Sequence, residues 1–532
     1  MDDTPLSPCL EAVFFKPLPV WPVPWAYSRP ACCRPRPQRH ETRDPFIETL
    51  IAQMTLEEKA GQLSLFFDHA REDAPNINPV QAAKTLAEVQ SEIAAGRVGG
   101  LFNGIGTTSG RALQRIAVEE SRLKISLVFA ADVIHGLRTV FPVPLGEAAA
   151  FDADLAERTA RAAALEATSV GVQWTFAPIV DGARDQRWGR VVEGAGEDTY
   201  LGRVLAAARE RGFQGRDLRD PDTMLATVKH FAAYGAVSGG MEYNSVDMSE
   251  ATLHDVHLPP FKAGLDAGAL SVMSAFNDIN GIPATAHHGL LTGVLRQQWA
   301  FRGLVVSDFT SDAELVAHGV AADDKDAARL SILAGWYLGS ESGHALADLI
   351  FGDHNPSGRL PVSFPQASGQ RHYYYNHRST GRPQLKPDEA RFKSRYLEVD
   401  HRALYPFGHG LNYGEVAYGV TQVSTATLAW KGEVSVSVSI SNRGRRPVRE
   451  VAQLYIHQRV ARSVRPVREM RGFQALALES GQSATVNFVL RKEDLAYAGP
   501  DGRPVIEPGM FDVTVAPNAV AGHSAKLQLT GV

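Results

Sequence analysis

Past Cys33 this chain contains no cysteine. Its three thiols, Cys9, Cys32 and Cys33, sit in the first 33 of 532 residues. The remainder therefore has no disulfide framework and no thiolate metal site. No apolar run is long enough to cross a bilayer, so no membrane partner is implied. Excess positive charge is also missing. The formal net charge of -5 argues against a surface built for nucleic acid. Adjacent His287 and His288 do not make a metal site, and the other histidines are scattered. With 44% hydrophobic and 21% charged residues, the composition is that of a globular chain of two to four domains.

Proline is unevenly spread. Nine of the 31 prolines fall in the first 40 residues, in runs such as Pro17-Leu18-Pro19 and Trp21-Pro22-Val23-Pro24-Trp25. Proline continues neither helices nor central strands, so residues 1–43 read as a disordered arm. The arm reads poorly as a signal peptide: it opens on Asp2-Asp3 and proline breaks its apolar region.

Order is expected from Asp44. Thr55-Leu56-Glu57-Glu58 is a capping-box pattern opening a helix that runs through Leu63. Strand-like apolar runs then alternate with helical stretches: Gly99–Asn103, Leu127–Asp132, Val172–Ala177, Met224–Val228, Leu270–Ala275 and Gly303–Ser307. An Ala-rich helix over Leu155–Val170 separates the second and third. Runs buried on both faces, separated by helices, predict a parallel sheet. The span 44–335 suits a (β/α) barrel of the TIM type. Polar residues close these strands: Asn103, Asp132, Asp181, Lys229-His230, Asn277 and Asp308. Polar groups at the C-terminal ends of successive parallel strands are how such a barrel builds an active site, which makes Asp308 a candidate catalytic carboxylate.

From about Tyr418 the period changes to two. Val434, Val436, Val438 and Ile440 share one strand face, as do Val486, Phe488 and Leu490, and Phe511, Val513 and Val515. With turns such as Asn442-Arg443-Gly444, residues 417–532 predict an antiparallel β-sandwich. Arg459, Arg462, Arg465, Arg468 and Arg471 read as a solvated stripe upon it. The intervening residues, 336–416, hold one helix-like segment, His344–Ile350, and long loops. They are too short and strand-poor for an independent α/β domain.

Several long motifs resemble glycoside hydrolase family 3, in particular its bacterial periplasmic β-glucosidase type. They are Asp185-Gln186-Arg187-Trp188-Gly189-Arg190, Glu193 to Tyr200, Val228-Lys229-His230-Phe231-Ala232-Ala233-Tyr234-Gly235, Tyr243 to Met248, Val306-Ser307-Asp308-Phe309, Asn355 to Pro361 and Leu404 to Leu411. The resemblance implies a (β/α) barrel, an α/β sandwich and a fibronectin type III-like domain. It implies a retaining hydrolase that needs no cofactor and acts on a terminal sugar, located in the periplasm. Two carboxyl groups about 5–5.5 Å apart would do the chemistry, one as nucleophile and one as acid then base. Carried over, Asp308 resembles the nucleophile. Asp132, Arg187, Lys229 and His230 resemble the ligands of the sugar hydroxyls; motif position favours Arg187 over Arg190, one of the two being expected to pair with Glu193, Glu197 or Asp198. Positive charge from Lys229 and Arg187 is expected to keep Asp308 ionised.

The chain departs from that pattern in one place. Ala327 to Gly335 resembles the approach to the eighth barrel strand, and Trp336 to Gly343 resembles the far end of the α/β sandwich. Here they are fused. The missing piece is on the order of 200 residues, most of a domain. It would contain the eighth strand and the acid/base glutamate, so the acid/base is unassigned. Glu242 and Glu341 are the nearest substitutes by position, with a structural role the heavier reading for both. Three functions follow: a β-glucosidase-like exo-hydrolase impaired by the missing acid, a β-xylosidase-type exo-glycosidase, or an inactive sugar-binding remnant. A barrel short of one strand exposes two edges, which predicts lowered stability. It also leaves room for a homo-oligomer in which a partner chain supplies the lost surface.

Overall fold

A computed structural model describes residues 45–67, 85–320 apart from 105, 312 and 313, and 357–531 apart from 371, 383–393, 395, 397, 398, 400 and 501. The proline-rich arm, the fusion at Gly335-Trp336, the segment His344–Ile350 and Glu341 all lie outside the described residues.

The Thr55 capping box forms. The Thr55 hydroxyl accepts from the Glu58 amide, and the Glu58 carboxylate accepts from the Thr55 amide at 2.8 Å. The helix covers Leu56–Gln62, and Leu63 caps it. Seven short parallel strands follow the helices: β1 (Leu65–Phe67), β2 (Gly100–Phe102), β3 (Val128–Ala131), β4 (Trp174–Thr175), β5 (Thr227–Phe231), β6 (Ser271–Ser274) and β7 (Leu304–Val306). Six of them fall within the apolar runs named above or overlap them. β1 was not among those runs, because three residues directly after a helix carry no alternation to read.

Neighbours in space are neighbours in sequence. β1 to β4 form one parallel sheet and β5 to β7 another. Parallel bridges between Trp174 and Leu225, and between Ile179 and Lys229, join β4 to β5. Phe309, just past β7, meets Phe67 of β1 at 6.5 Å and Phe102 of β2 at 5.9 Å. The row of strands therefore curls until its last member approaches its first. Among the described residues no eighth parallel strand follows β7.

The helix α1 (Ala153–Ser169) buries Ala156, Ala160, Ala163, Ala164 and Ala167. Alanine at these positions lets α2 (Thr199–Gln214) pack close. A Cβ on Gly212 of α2 would lie 2.4 Å from the Glu157 carbonyl oxygen, so only glycine fits. α3 (Leu258–Ala267) packs beside α2 and places Phe261 against Phe231 of β5. The strands' inner residues, including Phe102, Trp174, Val228, Val272 and Val306, share one apolar core with Phe176 and Trp188.

The C-terminal region is a two-sheet β-sandwich. Strand Val434–Asn442 alternates as expected, with Val434, Val436, Val438 and Ile440 buried. It pairs antiparallel with Ser483–Leu490. The second sheet runs Thr427–Leu428, Ala525–Leu529, Gly509–Ala516, Val448–Gln458, Glu469–Leu478. Its one parallel pair joins Thr427–Leu428 to Ala525–Leu529. Val486, Leu490, Phe511, Val513 and Val515 complete the core between the sheets.

The arginine stripe is a solvated face only in part: Arg459 and Arg462 are exposed, while the other three are drawn into the fold. Arg465 is buried, bound to Glu469 at 2.9 Å and to Asp255 at 3.3 Å. Arg468 donates to the Ala519 and Ala521 carbonyls, and Arg471 to Glu469. Spacing along a loop did not reveal that carboxylates and carbonyls from other elements would converge on it.

The described residues of 357–416 run between the two regions as a strap. Arg359 is buried and bonded to Glu450 of the sandwich at 2.7 Å. Ser363 and Tyr375 bind Glu197, and the Tyr375 hydroxyl binds Asp198 at 2.6 Å. Tyr375 and Phe407 also join an apolar cluster with Phe151, Leu201, Tyr455 and Met470. The Glu193–Tyr200 motif thus holds the strap.

Candidate active site

The polar residues that close the strands meet at one end of the sheet. Parallel strands aligned in register bring their C-terminal ends to one rim. β3 delivers Asp132, β5 delivers Lys229 and His230, and β7 delivers Asp308. All four are buried or nearly so. Lys229 donates to Asp132 at 2.7 Å. This pair is desolvated on both sides, so each charge depends on the other. The Asp132 amide lies 3.4 Å from the side-chain oxygen of Asn103, which follows β2.

His230 is held from behind. Asp181 accepts from the His230 amide at 2.8 Å and contacts the ring Nδ1 at 3.0 Å, while its other oxygen accepts from the Tyr234 amide. Burial, then Arg190 and Lys229, hold the imidazole well below its usual pKa, so it is neutral. Two backbone donors on Asp181 favour the tautomer with the proton on Nδ1, assigned from this network. That leaves Nε2 as an acceptor.

Nε2 of His230 lies 3.2 Å from Oδ2 of Asp308. The distance suits contact but the alignment does not make a hydrogen bond, and neither atom has another partner. Asn277 Oδ1, beyond β6, and Ser307 Oγ are also buried without a partner. Unsatisfied polar atoms are rare in native interiors and call for an explanation. A ligand rich in hydroxyl groups would satisfy them.

Burial raises the Asp308 carboxyl to about 8, against the lowering effect of Lys229 and Arg190. The expectation that nearby cations keep it ionised thus meets the stronger, opposing effect of burial. Lys229 pairs with Asp132, and Asp308 is itself buried. Asp181 is likewise pushed up to about 7 by burial.

Arg187 does not join this group. Its guanidinium is folded onto its neighbour Asp185, 2.5 Å away, and its side chain is 42% exposed. Arg190, three residues on, is the buried cation whose field reaches Asp308. It is clamped by Glu193 through two contacts of 3.0 and 3.1 Å, with Glu242 at 3.9 Å. One turn of 3-10 helix over Gly189–Glu193 sets this direction, whereas motif position favoured Arg187.

Glu242 is tied down by Trp188 Nε1 and the Tyr234 hydroxyl, each at 2.5 Å. Burial raises its carboxyl above the usual value. Its partners make it a clamp for the loop after β5. No group of three or more His, Cys, Asp or Glu with metal-binding geometry occurs among the described residues. Among them, too, no helix is long and apolar enough to cross a membrane.

The profile described as "Glycosyl hydrolase family 3 N terminal domain" matches residues 55–338. "Glycosyl hydrolase family 3 C-terminal domain" matches 316–413, and "Fibronectin type III-like domain" matches 450–519. A periplasmic beta-glucosidase of Salmonella typhimurium is 27% identical over 749 residues, covering 93% of this chain and 96% of its own. A putative beta-xylosidase of Formosa agariphila is 22% identical, covering 91% and 95%. A crystal structure of beta-glucosidase from Listeria innocua in complex with isofagomine superposes with a TM-score of 0.84 at 25% identity. It covers 91% of this chain and 99% of that one.

Proposed function

Because this chain belongs to glycosyl hydrolase family 3, we propose that it is a retaining, exo-acting enzyme that releases terminal β-D-glucose. The observation that carries this reading is the convergence of Asp308, His230, Lys229 and Asp132 at one end of a row of parallel strands that reads as an incomplete (β/α) barrel. Asp308 attacks the anomeric carbon as the glycosidic bond breaks and the aglycone departs on its oxygen, forming a covalent glycosyl-enzyme; water then attacks the same carbon, releasing the sugar and restoring the Asp308 carboxylate. Asp132 and His230 Nε2 accept from sugar hydroxyls, and Lys229 donates to them. Arg190 takes the cationic place that motif position assigned to Arg187, since it is buried and its charge acts on Asp308. It favours the ionised nucleophile.

The proton donor is the weak part of the machine. The alignment with the Salmonella protein spans 749 positions, more than the 532 residues here, which supports a missing internal stretch. General acid catalysis contributes about 10²–10⁴-fold, and most where the leaving group is poor. The enzyme should therefore turn over nitrophenyl β-glucoside far better than cellobiose. Equal rates on the two would sink the impaired-acid reading. The similarity to a putative beta-xylosidase supports a second reading, release of xylose, and a panel of nitrophenyl glycosides decides between them. A third, sugar binding without turnover, predicts gluconolactone binding by calorimetry with a background rate that Asp308→Ala leaves unchanged. The periplasmic relative supports a periplasmic site of action.

A further inference from the structure

The loop after β5 presents two large apolar side chains to solvent beside this site. Met241 is 64% exposed and Tyr243 58%. They flank Glu242, whose carboxylate is anchored to Trp188 and Tyr234. Tyr243 itself has φ of 64°. That region is uncommon for a bulky residue and persists only where the surroundings impose it. Here they do: Glu242 is fixed on one side, and on the other the Asn244 side chain donates to the Ser238 carbonyl at 2.9 Å. The backbone thus holds Tyr243 outward.

The ring is also held in orientation. It meets the nearly buried Phe276 edge-on, with centroids 5.0 Å apart and planes at 85°. It sits 6.4 Å from Tyr234. Tyr234 in turn meets the His230 ring at 5.3 Å, and His230 lies 3.2 Å from Asp308. A continuous aromatic path therefore leads from the buried carboxylate to an exposed ring. The phenol is raised above its usual pKa by burial first, then by Glu242, with Asp308 and Glu314 adding and Arg190 opposing. Its polar tip shares the electrostatic surroundings of Asp308, while ring area remains open to solvent.

We propose that Tyr243, backed by Phe276 and flanked by Met241, is the platform on which an aromatic aglycone stacks at the mouth of the Asp308 pocket. This rests on Asp308 lying in the sugar pocket, as read above. A rigid ring presents contact area at low entropic cost, and a thioether beside it adds a polarisable wall. The ligand class is an aryl β-glycoside, whose leaving group also has least need of a strong proton donor.

The test is calorimetric binding of two hydrolysis-resistant ligands to the full chain: phenyl 1-thio-β-glucoside and methyl 1-thio-β-glucoside. The wild type should bind the phenyl compound about tenfold more tightly. Tyr243→Ala should abolish that preference while leaving the methyl compound's affinity unchanged, and Tyr243→Phe should keep it. Thermal melts should stay within a degree or two, since the ring is mostly exposed. Equal affinity for both ligands in the wild type, or equal loss of both in Tyr243→Ala, overturns the platform and leaves the sugar pocket standing. Failure of the wild type to bind either ligand overturns the sugar pocket and the platform together.

Discussion

The parallel-strand region and the C-terminal sandwich bury charge in opposite ways. In the sandwich, Glu450 is buried with Arg359, the Tyr418 hydroxyl and the Asn412 amide all donating to it. At the strand ends, His230 Nε2, Asp308 Oδ2 and Asn277 Oδ1 are buried with no partner. A satisfied network holds shape, whereas an unsatisfied one waits for a ligand. An orphan alone proves little: Glu210 on α2 is buried without a partner, its carboxyl pushed well above the usual range by burial. What separates the site from Glu210 is that two orphaned atoms from different strands, His230 Nε2 and Asp308 Oδ2, lie 3.2 Å apart.

The sharpest test of that contrast is Asp308→Asn. Turnover of nitrophenyl β-glucoside should fall by on the order of 10⁴-fold, with no loss of thermal stability, because the substitution removes a buried carboxyl that has only one hydrogen bond. Arg359→Leu should do the reverse. It leaves Glu450 buried without its cation, at a cost of about 3–5 kcal/mol read from denaturant unfolding. The turnover of the molecules that remain folded should hold. Ile440→Ala, in the sandwich core, should destabilise by about 2–5 kcal/mol through its cavity, again sparing kcat/KM.

The strap and strand-end motifs account for how far the sequence could be read. Alternation in Val434–Ile440 announced a half-buried strand because the period is local. The same holds for the Thr55 capping box. The choice between Arg187 and Arg190 is not local. Both stand in one motif, and only the turn over Gly189–Glu193 aims one inward. The role of residues 357–416 as a strap was equally hidden, since Arg359, Ser363 and Tyr375 find their partners far along the chain.

Titration gives a smaller and more graded comparison. Asp308 is raised to about 8, and Asp181 and Glu197 to about 7, each by burial first. An unfolded carboxyl titrates near 4. Between these values the folded chain holds more protons than the unfolded one. Stability should therefore be greatest at low pH and fall as pH rises through 7 to 8. The urea midpoint should drop from pH 5 to pH 8.5, and Asp308→Asn should flatten part of that slope. Over the same range kcat/KM should rise with an apparent midpoint near 8, because the nucleophile acts only when ionised. A flat activity profile between pH 6 and 9 would contradict the burial of Asp308 in the free enzyme.

By itself the sequence determined six of the seven parallel strands, the change of period near Tyr418 and the polar residues at strand ends. These depend on neighbours a few residues away, and side-chain periodicity records them. Tertiary structure alone decided which arginine is buried, that burial outweighs cations in raising the Asp308 carboxyl, and that Tyr243 stands exposed. Those outcomes depend on desolvation and on groups brought together from distant parts of the chain. No local pattern encodes the dielectric into which a side chain will be folded.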